Sequence, residues 1–218
     1  MLREADAFLA AGKWINAGDI YNTVLSIEPG NEAARFGLLY AAIQKQQDLE
    51  SRTEPLAGEY EALLAILDKA IAYTGSQNLK RLKVNTIETL YDSASDRYQK
   101  ELVTEARALS QAGLTYAPDH LRLKILSYRI QARISYKEDR WTSPENDNAV
   151  AYYRKILQLE PNDADAKQGI NKIIEAFKSA AVDAREKGNY SNAVTQIQKA
   201  RSIDPDRHDL KVAELLIF

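Results

Sequence analysis

Apolar positions recur along this chain with a period close to 3.6. Ala17, Tyr21, Val24 and Leu25 stand at i, i+4, i+7 and i+8, which is one stripe of an α-helix. The stripe stops at Pro29, because a proline pushes the residue before it out of the α region. The same stop returns in Leu157-Gln158-Leu159-Glu160-Pro161 and Arg201-Ser202-Ile203-Asp204-Pro205, and more faintly in Leu114-Thr115-Tyr116-Ala117-Pro118. In Ile71-Ala72-Tyr73-Thr74-Gly75 a glycine takes the proline slot. Successive stops lie 46, 43, 43 and 44 residues apart, so the pattern is an internal repeat. The pattern predicts helices near 2–11, 14–28, 31–50, 55–74, 77–95, 97–116, 119–137, 145–160, 163–187 and 190–204. A last helix, near 207–217, offers Leu210, Val212, Ala213, Leu215 and Leu216 as an apolar face to cover the open end. Asn31, Asn162 and Asp119 follow the prolines closely and are the expected acceptors for free N–H groups of the next helix.

The first and last units share a register. Gly12-Lys13-Trp14, Ala17, Tyr21, Val24, Leu25, Ile27 and Pro29 align with Gly188-Asn189-Tyr190, Ala193, Ile197, Ala200, Arg201, Ile203 and Pro205, always 176 residues on. Ala149, Tyr153, Ile156, Leu157, Leu159 and Pro161 match nearly as well. A glycine in the turn, an aromatic opening the second helix, small alanines and a closing proline resemble the second half of a tetratricopeptide repeat. The resemblance is specific in three units and weakens between residues 50 and 118. It implies an all-α, right-handed solenoid of stacked antiparallel helix pairs with a C-terminal capping helix, in a single domain over 1–218. The units would be 1–30, 31–75, 76–118, 119–161 and 162–205, with the cap at 206–218. The family's usual repeat is 34 residues, whereas these run to 43–46. That length also fits HEAT and armadillo repeats, the alternative architecture.

Composition narrows the function. The chain has 218 residues, 9 Gly and 6 Pro, a sparse supply of turn formers that suits helices. A formal charge of −2 gives no electrostatic reason to expect nucleic acid. Zero Cys excludes disulfides, thiolate metal sites and cysteine nucleophiles. No apolar run approaches the ~20 residues of a membrane span. The only Met is at position 1 and a helix begins almost at once, which suggests a domain cut from a longer protein. The two histidines, His120 and His208, each follow a helix-closing proline and read as solvated first-turn residues. No phosphate-cradling glycine loop and no preorganised catalytic cluster is visible, so neither enzyme, metal nor cofactor is expected.

Charge is unevenly spread: residues 1–75 hold 6 basic and 11 acidic side chains, whereas 76–160 hold 14 and 11. Arg122, Arg129 and Arg133 follow at i, i+7 and i+11 on one predicted helix. In the tetratricopeptide family the first helix of each pair lines a concave peptide-binding face. The resemblance therefore implies a basic stripe that clamps acidic side chains or a carboxylate of a partner. Opposed to this stands a solvated face paired with acidic neighbours of the same chain. Phe36 and Tyr40, four apart, are groove candidates beside a reading as core. Trp141, in the polar insertion 137–145, either packs back over a helix end or anchors another protein. The expected function is a non-catalytic scaffold binding a protein or peptide in the concave groove. The alternatives are a small-ligand or peptide-signal sensor and an oligomerisation module built on Leu215-Leu216-Ile217-Phe218. The repeat style resembles segments of bacterial envelope and secretion-associated proteins, which leans the compartment toward the periplasm of a Gram-negative bacterium over the cytoplasm.

Overall fold

The computed structural model describes residues 1–215, with Leu215 described by its backbone alone. The apolar end Leu215-Leu216-Ile217-Phe218, read above as an oligomerisation surface, lies outside the described side chains. Among the described residues the chain is all helix and turn, with no strand. In order, the helices are α1 (Leu2–Ala10), α2 (Trp14–Ile27), α3 (Glu32–Glu50), α4 (Ala57–Thr74), α5 (Gln77–Gln99) and α6 (Val103–Tyr116). Then come α7 (Leu121–Lys137), α8 (Ala149–Leu159), α9 (Ala164–Glu186), α10 (Tyr190–Ile203) and α11 (His208–Leu215). Short turns, and one longer loop over 138–148, join them into helix pairs in sequence, a helical-repeat fold. The chain divides into two compact units, Met1–Lys124 and Ile125–Phe218, and the division falls within α7.

Three of the four proline stops are followed by a cap two residues later. The Asn31 carboxamide oxygen accepts from the Ala34 N–H at 2.9 Å, and Asp163 accepts from Ala166 at 2.8 Å. His120 does the same through Nδ1 for Leu123 at 3.3 Å. Asn162 and Asp119, the expected caps, instead accept from Lys167 and Lys124. The reason is the two-residue turn after each proline, which delays the helix start by one position. A second departure concerns α5, which continues to Gln99 and moves the start of α6 to Val103. The turn between them puts Glu101 at φ 64, the left-handed conformation that Gly12 (φ 69) and Gly188 (φ 72) adopt in the first and last pairs. Without a glycine there, the sequence hides the turn.

In the first unit, Tyr21, Leu25, Leu38, Leu63, Leu64, Leu67 and Leu90 are fully buried. Each such side chain contributes about 1.5–3 kcal/mol of transfer free energy. Small residues set the spacing. Gly18 of α2 meets Ile66 of α4, and Gly113 of α6 meets Leu90 and Leu123. In the second unit, Val150, Ile173, Ile174, Phe177, Ile203 and Leu210 form one cluster, and Ala181, Ala184, Ala193 and Ile197 another. Leu210 of α11 enters the first of these, and Ala213 packs on the second. Val212, expected on the same covering face, is 40% exposed. Val212 stands two positions after Leu210, on the far side of the helix from it, so α11 covers with Leu210 and Ala213 and turns Val212 outward.

Candidate functional site

Helix α3 carries apolar residues on two faces. Ala34, Leu38, Ala41, Ala42 and Leu49 are buried against the neighbouring helices. On the other side Phe36, Tyr40 and Ile43 stand at i, i+4 and i+7 and are 69%, 50% and 39% exposed. The buried residues take one side of α3, so this second apolar stripe faces solvent among the described residues. The structure brings the two predicted residues Phe36 and Tyr40 together and adds Ile43. Asn31 caps the helix, and Arg35 Nε donates to the Pro29 carbonyl at 2.9 Å, fixing the start of α3 against the preceding turn.

At the far end of α3 a cavity of about 330 Å³ opens between α3, the α3–α4 connection, α4 and α5. Its frame is held by Arg97, which is 6% exposed. The Arg97 guanidinium donates to the carbonyls of Pro55 at 3.2 Å and Ser93 at 3.3 Å, and pairs with Glu105 at 3.1 Å. A buried guanidinium satisfied by two carbonyls and a carboxylate ties the connection to α5 and α6. Nothing local in the sequence marks Arg97 for this task.

The predicted basic residues sit among carboxylates of their own chain. In the first unit Arg122 pairs with Glu88 at 2.7 Å and Asp92 at 3.6 Å, and its guanidinium lies 3.9 Å from the Tyr91 ring centroid. The His120 Nε2 is 3.0 Å from Glu88. His120 first, and then Arg122, hold the Glu88 carboxyl below the usual range. In the second unit Arg129 pairs with Asp163, the buried cap of α9, and reaches Asp165 at 3.9 Å. Arg133 is half-buried on α7. Trp141 packs back into the second unit. Its indole N–H donates to the Tyr136 carbonyl at 3.2 Å, its ring stacks on Tyr136, and it meets Phe177 edge-on at 5.4 Å.

Among the described residues, no three His, Asp or Glu side chains gather as a metal-binding set. No helix is long and apolar enough to cross a membrane among those residues. A second cavity of about 350 Å³ lies in the second unit, between the 142–148 loop, α8 and the end of α10, where Arg154 donates to the Ile203 carbonyl at 2.8 Å.

No protein-family model matches the chain, and no curated protein matches it. Among solved structures it is similar to YrrB, described as a TPR protein with an unusual peptide-binding site, at 16% identity and a TM-score of 0.27, over 97% of this chain and 88% of that one. It is also similar to the C-terminal part of a TPR repeat-containing protein from Cytophaga hutchinsonii, at 14% identity and a TM-score of 0.28, over 98% and 99% of the two chains. A third is a thermophilic TPR protein of Thermus thermophilus, at 18% identity and a TM-score of 0.26, over 99% and 96%.

Proposed function

We propose that this chain is a non-catalytic helical-repeat scaffold that holds a protein or peptide segment on the outer face of α3. The observation that carries the reading is the stripe Phe36, Tyr40 and Ile43, exposed at 69%, 50% and 39% on one side of a capped helix. Exposed aromatic and aliphatic side chains in a row are unfavourable in water and mark interaction surfaces. An i, i+4, i+7 row is the spacing at which a helical face presents anchors to a partner. Tyr and Phe also give large contact area for few rotatable bonds, which keeps the entropic cost of binding low.

The basic residues support the same choice by their engagement. An acidic partner at Arg122 would have to displace Glu88 and Asp92, and at Arg129 it would have to displace the buried Asp163. The Phe36, Tyr40 and Ile43 side chains, by contrast, are exposed among the described residues. The non-catalytic reading draws on the roles already taken by the titratable groups: His120 caps α7 and faces Glu88, and Asp163 caps α9.

Selection from a random peptide library displayed on phage tests this reading. The chain should enrich peptides with aromatic or aliphatic anchors, and the Phe36→Ser/Tyr40→Ser variant should not retain them. Recovery of the same peptides by that variant would place the binding face elsewhere.

A further inference from the structure

The α3 stripe does not end at Ile43. Gln47 and Glu50 continue it at i+11 and i+14 from Phe36. Glu50 forms one wall of the cavity of about 330 Å³, and Thr86, Thr89 and Ser93 of α5 form the opposite one. We propose that this cavity accepts the ammonium or guanidinium of a lysine or arginine side chain from the segment that lies along α3.

The lining is rich in acceptors and poor in donors. Thr86 and Thr89 give their hydroxyl protons to the carbonyls of Leu82 at 2.9 Å and Asn85 at 3.0 Å, so their lone pairs alone remain for a ligand. The Gln46 amide donates to Glu50. The Tyr60 and Ser93 hydroxyls are 3.0 Å apart, and one donates to the other. Arg52, the cation among the lining residues, is held by Glu59 at 2.5 Å and Asp48 at 3.2 Å. What remains for a ligand is acceptor capacity: the Glu50 carboxylate beyond its bond from Gln46, the lone pairs of the two threonine oxygens, and the second lone pair of the Gln46 carbonyl oxygen, which Thr86 Oγ1 approaches at 3.5 Å. Water or a peptide group would serve Thr53 and the remaining hydroxyl proton.

Two wider features favour the same sign. The cavity lies at the C-terminal end of α3, the negative end of the helix dipole. Residues 1–75 carry 6 basic against 11 acidic side chains, so a basic segment is drawn to this region at longer range. A volume of about 330 Å³ is at the small end of ligand pockets and has room for one long side chain. The inference rests on the α3 reading for what brings that side chain to the cavity; the chemistry of the lining stands apart from it.

The test separates the two. The whole chain, labelled with ¹⁵N, is titrated with N-acetyl-lysine methylamide and, in parallel, with the uncharged isostere N-acetyl-norleucine methylamide. The lysine probe should give saturable shifts at amides of 50–54 and 86–93, and the norleucine probe none. Glu50→Gln, an exposed and isosteric change, should weaken the lysine probe about tenfold, and Thr89→Val should weaken it too. Shifts elsewhere, equal shifts with both probes, or an unchanged affinity in Glu50→Gln would overturn the cation site. Phe36→Ser/Tyr40→Ser should leave the lysine probe's affinity intact while abolishing peptide retention. Loss of the probe alone therefore condemns the pocket, and retained peptide binding in that variant condemns the surface.

Discussion

The ring of Tyr21 occupies the space where Gly37 has no side chain: a Cβ at that glycine would lie 2.3 Å from Cζ of the α2 tyrosine, far inside van der Waals contact. The Tyr21 hydroxyl passes on to Asp6 of α1 at 2.5 Å, so one side chain ties together α1, α2 and α3. Burial, with the Asp6 carboxylate beside it, pushes the Tyr21 hydroxyl pKa well up. Tyr153 and Gly169 repeat the relationship in the second unit, each 132 residues further along.

Gly37→Ala and Gly169→Ala should each lower stability by about 1–3 kcal/mol, the usual cost of forcing extra volume into a packed contact. Gly58→Ala meets nothing within 4 Å and should instead stabilise α4 by about 0.5–1 kcal/mol. Denaturant titration of the three variants checks this. A Gly37→Ala protein as stable as the parent would show that the tyrosine contact is loose.

The arginines of α7 should separate by burial of their partners. Arg129→Ala leaves the Asp163 carboxylate, whose side chain is 2% exposed, without its cation and should cost about 2–3 kcal/mol. Arg122→Ala removes exposed pairs to Glu88 and Asp92 and should cost less than about 1 kcal/mol. Melting both variants beside the parent decides it; equal losses would contradict the ranking.

Much of this architecture is legible from local signals. Proline ends a helix by its effect on the residue before it, so each proline stop is legible. The turn at 100–102 is not, because Glu101 holds a left-handed conformation that sequence assigns to glycine. At the site, the spacing of Phe36 and Tyr40 was visible, and their exposure follows from Leu38, Ala41 and Ala42 taking the inner face. The spacing of Arg122 and Arg129 was equally visible, but their partners were not: Glu88 lies 34 residues before Arg122, and Asp163 lies 34 residues after Arg129. The cavity was hidden for the same reason, since α3 and α5 contribute Glu50 and Thr86 from distant stretches of chain.

Acid should act on the α9–α11 contact. Lys178 first, then Arg207, hold the Asp209 carboxyl down to about 2 against its ordinary 3.8. A lowered folded-state pKa contributes stability above the unfolded value, and that contribution fades as pH falls from about 4 toward 2. The Lys178 ammonium is raised, mainly by Asp209, so its share is present below 10.5 and fades above it. Asp209→Asn should therefore melt below the parent at pH 6 and level with it at pH 2. The difference between the two curves cancels what both proteins share and so reports the substitution. A constant gap across pH would place the stabilisation elsewhere.

The most direct test of the scaffold reading is calorimetric titration of the best library-selected peptide into the parent chain and into Phe36→Ala/Tyr40→Ala. Truncating two central aromatic anchors should weaken binding by at least about thirtyfold, the equivalent of about 2 kcal/mol. The melting curve should stay put, because exposed positions move stability by no more than about 0.5 kcal/mol. Unchanged affinity in a folded double variant would contradict the assignment of α3 as the binding face.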